Sequence, residues 1–78
     1  MTKIVITIHG GLVDKILSSE PVEVAVVDYD VEGADRDDLR QIPQLEPVGP
    51  ETEEAFASIR EADVNVEKVD RIFQAIDR

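Results

Sequence analysis

The chain has 78 residues, no cysteine and a formal net charge of −10, from 18 Asp and Glu against 8 Lys and Arg. This length predicts one domain, and the lack of cysteine excludes a disulfide framework and thiolate zinc sites. The dispersed basic residues disfavour direct binding to nucleic acid or anionic membranes, and no apolar run reaches the ~18 residues of a membrane span.

The first thirty residues have the patterns of β-strands. Isoleucines alternate with other, mostly β-branched, side chains over residues 3–8, which predicts a strand. Gly10 and Gly11 accept positive φ and predict a hairpin into a second strand at residues 12–17. Valine-rich residues 22–29 predict a third strand. Such short connections predict antiparallel neighbours, so we expect residues 1–30 to form a β-meander. The stretch MTKIVITIHGG has no small-residue cleavage site, so we interpret it as mature protein and expect a cytoplasmic location.

Residues 31–50 combine an acidic turn with a proline-rich connector. Asp35 is a suitable N-cap and predicts a single helical turn after it. Pro43, Pro47 and Pro50 disfavour a continuous helix or a central strand. We therefore expect an extended connector here.

Residues 51–78 are predicted to form a helical hairpin. Apolar side chains recur three and four residues apart in its first half, at Ala55, Phe56, Ile59 and Ala62. Asn65 is a suitable cap for a second helix, whose apolar face is expected to be buried; that face holds Val66, Val69, Ile72, Phe73 and Ile76. We therefore expect an α+β fold in one domain, residues 1–78: a three-stranded antiparallel β-meander, a connector and two C-terminal helices packed on one sheet face.

Acidic residues concentrate around the end of the third predicted strand. Between Glu20 and Asp38 there are eight carboxylates and one basic residue. Carboxylates on alternate residues of a strand lie about 6.6–6.8 Å apart and can imitate spaced phosphates. Tyr29 is a suitable interface anchor within this run. The candidate partner-binding residues are Asp28, Tyr29, Asp30, Glu32, Asp35, Asp37 and Asp38. The alternative is a solvated acidic loop that only contributes solubility.

No catalytic or metal-binding signature accompanies this charge. Asp28 to Gly33 matches the start of a calcium loop, but Leu39 stands at position twelve, where such a loop requires Glu. His9, the single histidine, has no nucleophile at a spacing that suggests a catalytic pair. We therefore expect no cofactor, no metal site and no enzymatic activity, with weak divalent binding by the carboxylates left open.

The chain resembles a group of small acidic proteins carried by bacterial plasmids, integrative elements and phages. The resemblance spans residues 4–38 and lies in GGLV at residues 10–13, the valine-rich EPVEVAVVDYD and the following EGAD turn. It implies a mobile-element origin but no particular activity. In size and charge alone, the chain also resembles anti-CRISPR and anti-restriction inhibitors and DNA mimics.

Two functional hypotheses follow from the residues. The first is a non-enzymatic inhibitor or adaptor whose acidic surface binds a basic, nucleic-acid-handling protein. The second is a structural, self-assembling module that forms a homodimer through a sheet edge or through its helices.

Overall fold

The computed structural model describes residues 1–33, 35–45, 49 and 51–77. Its strands are β1 (Thr2–Ile8), β2 (Leu17–Ser18), β3 (Val22–Asp28), β4 (Leu39–Pro43), β5 (Thr52–Glu61) and β6 (Asp63–Val64). A 3₁₀ turn covers Arg36–Asp38, and helix α1 covers Val66–Ile76. The predictions made for Pro47 and Pro50 lie outside the described residues.

The main sheet has four strands in the order β1-β3-β5-β4. β1 and β3 are parallel, with Thr2 opposite Val22 and Ile8 opposite Asp28. β5 runs antiparallel to both of its neighbours, β3 and β4. β2 and β6 form a separate small parallel pair. The expected three-stranded antiparallel meander is therefore wrong, although its first and third strands are present.

The error lies in the segment between β1 and β3. Gly10 and Gly11 have φ values of 85° and 87°, but they begin a long crossover instead of a hairpin. Residues 9–21 carry the chain back to the start of the sheet, which is what a parallel neighbour requires. Residues 12–16 are not in a strand, so the expected second strand over residues 12–17 is also wrong.

β5 replaces the first expected helix. Residues 52–56 pair with β4 and residues 56–61 pair with β3, so the helical hairpin over residues 51–78 is wrong. Ala55 and Ile59, two residues of the expected helical stripe, also lie on one face of the strand together with Ala57. Each half of the segment has a neighbouring strand, and pairing with it gives the backbone hydrogen-bond partners, which decided between strand and helix.

The connector also contains a strand that was not expected. β4 (Leu39–Pro43) pairs with β5 and forms one edge of the sheet. The helical turn expected before it is present as the 3₁₀ turn, and the Asp35 side chain caps it by accepting a hydrogen bond from the Asp37 amide.

The two faces of the main sheet differ in which parts of the chain lie over them. One, the crossover face, carries Ile8, Val26, Phe56 and Arg60, and residues 11–13 lie against it. Arg60 fixes this crossover by donating hydrogen bonds to the carbonyl oxygens of Val13 (3.0 Å) and Asp14 (3.4 Å). The most deeply buried apolar residues described are Val22, Val24, Val27 and Ala55.

Helix α1 follows its expected cap but does not cover the sheet. The Asn65 side chain accepts a hydrogen bond from the Lys68 amide at 3.0 Å. The helix contacts β2, and Phe73 on its apolar stripe is 70% exposed. The expectation of helices packed on one sheet face is therefore wrong, and the second face of the sheet, the open face, has no helix over it in the described structure.

Candidate functional site: an acidic turn beside an apolar groove

The acidic turn, residues 28–33 and 35–38, begins where β3 ends. Its first carboxylate, Asp28, is half-buried and accepts hydrogen bonds at 2.9 Å from the backbone amides of Gly10 and Asp30. These two bonds favour the ionised form and lower the pKa of Asp28; the nearby charge of His9 acts in the same direction, while partial burial opposes it. Asp28 therefore joins the ends of β1 and β3 through its Oδ1 atom.

Two other carboxylates are also used within the turn. Asp30 accepts a hydrogen bond from the Glu32 amide at 3.2 Å, and Asp35 accepts one from the Asp37 amide at 3.1 Å. Such short-range bonds between carboxylate and backbone hold a turn in shape. Glu32, Asp37 and Asp38 are exposed, and their carboxylates have no hydrogen-bond partner in the described structure. They form the outward charge of the turn.

This arrangement changes one part of the predicted site. β3 ends at Asp28, so residues 28, 30 and 32 do not share a continuous strand edge. The regular spacing proposed for a phosphate-like array therefore does not apply. The negative charge is instead carried by a hydrogen-bonded turn.

Tyr29 lies apart from the outward carboxylates. Its side chain lines the open face, and its hydroxyl lies 3.5 Å from the Pro43 carbonyl oxygen, a long hydrogen bond to β4. The predicted site residues therefore lie in two places. The carboxylates either accept hydrogen bonds within the turn or are exposed on its surface, whereas the Tyr29 side chain lines the open face of the sheet.

The open face contains an apolar groove of about 530 Å³. Each strand of the main sheet contributes to it, because residues that point to the same face stand opposite each other in register, as Val5, Ala25 and Ile59 do. Val5 is 62% exposed and Ile59 is 66% exposed, so the groove is open to solvent. Arg40 also lines it, on the edge strand β4.

A second cavity, of about 450 Å³, adjoins the groove through Tyr29 and Leu45. Glu53 and His9 line this cavity. Glu53 was not among the predicted site residues, since it lies in the segment that was interpreted as a helix. Its position follows from the pairing of β5 with β4, where Glu53 stands opposite Ile42.

The carboxylates do not converge as metal ligands. Among the described residues, no three acidic or histidine side chains are grouped in a way that could hold an ion. The calcium-loop likeness at Asp28 to Gly33 corresponds to the turn geometry given above, in which Asp28 and Asp30 accept backbone hydrogen bonds.

Comparisons with known proteins add no information about this site. No protein-family model, curated protein or solved structure matches the chain. Within the described residues, none of the helical structure has the length and apolar character needed to span a membrane.

Proposed function

We propose that this chain is a non-enzymatic protein-binding module, an inhibitor or adaptor that binds a basic, nucleic-acid-handling protein in the cytoplasm. The observation that carries the proposal is the open apolar groove, which Tyr29 of the acidic turn lines. The groove receives an apolar side chain of the partner, and the outward carboxylates receive its Lys or Arg residues.

The charge of the turn supports a basic partner. The one ion pair found among the described residues is Arg71–Glu67, at 3.9 Å on the helix surface. Among the described residues, the outward carboxylates Glu32, Asp37 and Asp38 therefore form no ion pair with a basic side chain. Uncompensated charge of one sign destabilises a small protein by self-repulsion, and a partner of opposite charge relieves it.

The apolar character of the groove favours a protein as the partner over a small ion. Its walls include Val5 and Ile59, both largely exposed, and an exposed apolar surface on a small domain is a common sign of a binding site. Tyr29 presents an aromatic ring with a polar tip, the type of residue that often anchors an interface. Arg40 can lay its aliphatic stem along the groove while its guanidinium stays in water.

The first test uses a variant with three outward carboxylates neutralised: Glu32→Gln, Asp37→Asn and Asp38→Asn. Proteins are captured from host lysate by the wild-type chain, and the basic protein obtained is purified and titrated by calorimetry at low and high salt. Removing three exposed contacts should weaken binding about tenfold, because exposed pairs contribute about 0.5 kcal/mol each and about 1.4 kcal/mol corresponds to a factor of ten. Added salt should weaken wild-type binding and should affect the variant less.

The matched control removes the same number of charges elsewhere: Glu61→Gln, Asp63→Asn and Asp70→Asn, all exposed and outside the acidic turn. It should bind like wild type. For the groove, Ile59→Thr should accelerate dissociation, whereas Val64→Thr, at a similarly exposed site outside the groove, should not. Equal losses in the two charge variants would show that only total charge matters and would contradict the proposed site.

A further inference from the structure

The outer edge of β1 is unpaired in the main sheet. The Tyr29 amide donates to the Ile8 carbonyl oxygen at 3.1 Å, so the backbone groups of Ile8 and of alternate residues before it point towards β3. The backbone groups of Lys3, Val5 and Thr7 therefore point outwards. An apolar edge strand of this length is a template for pairing with another strand.

Along β4, the opposite edge of the sheet is protected. The Gln44 amide donates to the Glu51 carbonyl oxygen at 2.9 Å, which places Pro43, the residue before it, at an outward position. Proline has no amide proton, so that edge lacks a donor there. Asp37 and Asp38 directly precede β4, and their charge repels another acidic chain.

The charge of the chain is also distributed unequally between the two edges. Residues 1–13 contain no Asp or Glu, although the whole chain has 18 of them. β1 carries the positive Lys3. Two copies of this acidic chain therefore meet with least repulsion along β1.

We propose that β1 pairs with β1 of a second copy in a two-fold antiparallel arrangement centred on Val5. This register uses the whole strand: Val5 faces Val5 of the second copy, Lys3 faces Thr7, and Ile4 faces Ile6. No like charges are opposed, and the outward groups of Lys3, Val5 and Thr7 form about six hydrogen bonds. The strand is self-complementary, which favours a second copy over a strand from an unrelated protein.

The dimer has two consequences. The four-stranded sheets join into one continuous sheet, and the two apolar grooves become neighbours across the axis because Val5 belongs to both the edge and the groove. Since both copies are negatively charged, added salt strengthens the dimer. Binding of a basic partner by the acidic turn weakens with salt, so the two proposals have opposite salt dependence and fail independently.

The test measures solution mass against concentration by sedimentation velocity, with Val5→Lys as the disrupting variant. In the proposed register this change places two lysines opposite each other. The matched control is Ile59→Lys, at a similarly exposed residue of the same face that is not on the edge. Wild type and Ile59→Lys should rise from 8.7 kDa towards twice that mass with concentration, and Val5→Lys should not. Circular dichroism should confirm that both variants fold.

A charge-pairing experiment tests the register itself. Val5→Glu should also stay monomeric, but an equimolar mixture of Val5→Glu and Val5→Lys should form the heterodimer, because the opposite charges then face each other. Backbone amides of Lys3, Val5 and Thr7 should become protected from hydrogen exchange in concentrated wild-type protein. A wild-type chain that stays monomeric at all concentrations would overturn the proposal, as would a mixture that fails to associate or an Ile59→Lys variant as impaired as Val5→Lys.

Discussion

At the residue scale, the acidic turn shows that neighbouring carboxylates in one run have different roles. Asp28 accepts two backbone hydrogen bonds and joins the ends of β1 and β3. Asp37, nine positions later, is exposed and contributes charge to the surface. The residue type is the same at both positions, and the backbone amide protons within reach decide the role.

Replacing Asp28 by Asn tests this structural role through its pH dependence. The amide keeps an acceptor oxygen but loses the charge, so the variant should have a lower free energy of unfolding than wild type at pH 7. The folded-state pKa of Asp28 is lowered, so its stabilisation is complete above the unfolded-state pKa of about 3.9 and is lost as pH falls through the folded-state value. Urea unfolding at a series of pH values should show the two proteins converging in acid.

Asp37→Asn is the control, since the Asp37 carboxylate accepts no hydrogen bond in the described structure. Its free energy of unfolding should stay close to that of wild type from neutral to acidic pH. A constant difference between wild type and Asp28→Asn at every pH would mean that the charge of Asp28 does not contribute to stability.

At the element scale, the segments that carry a single periodicity were predictable from the sequence. β1 and β3 have strict alternation and β-branched residues, and they form close to the expected positions. α1 begins after Asn65 as its cap predicts. Of the candidate site, the structure contains Asp35 as the cap of the 3₁₀ turn but not the expected regular spacing of carboxylates along a strand.

The remaining elements depended on contacts that are distant in sequence. Ala55 and Ile59 fit both a helical stripe and a strand face, and the choice required knowledge of β3 and β4 on either side. The crossover required Arg60, which holds the carbonyl of Val13 from 47 positions away. No local pattern indicates such a partner, so the parallel pairing and the open groove were not foreseen.

The weak attachment of α1 leads to a prediction about its cap. Asn65→Ala removes the acceptor for the Lys68 amide and should cost the helix about 1 kcal/mol. Because α1 contacts β2 and leaves Phe73 exposed, the helix should fray while the main sheet stays folded. Circular dichroism should show reduced helicity, and hydrogen exchange should show unchanged protection in β3 and β5.

Asn65→Asp serves as the control because aspartate caps helices as well as asparagine does. It should retain the helicity of the wild type. If Asn65→Ala reduced protection in the sheet by the same factor as in the helix, helix and sheet would form one cooperative unit, contrary to the limited contact between them.

At the scale of the whole molecule, the acidic turn and the unpaired strand are associated with opposite edges of the main sheet. The acidic turn lies next to the protected β4 edge, whereas the amino-terminal residues 1–13 are free of acid and supply the unpaired edge. The acidic turn serves one proposed interaction and the β1 edge serves the other, while Val5 belongs to both the edge and the groove. A basic partner is attracted to one side, and a second copy is tolerated on the other.

The balance of attraction and repulsion sets how stability responds to salt. With a net charge of −10 and an exposed pair, Arg71–Glu67, as the ion pair found among the described residues, screening removes more repulsion than attraction. The melting temperature should therefore rise with sodium chloride. A rise of about 6 °C corresponds to roughly 1 kcal/mol in a domain of this size.

The measurement is made on Val5→Lys, so that stronger dimerisation in salt does not contribute to the melting temperature. Adding Glu32→Gln, Asp37→Asn and Asp38→Asn to that variant lowers the repulsion and should reduce the salt-dependent rise. A melting temperature that falls with salt would mean that favourable ion pairs outweigh repulsion in the folded chain. The acidic turn would then be neutralised from within, and its attraction for a basic partner would be correspondingly weak.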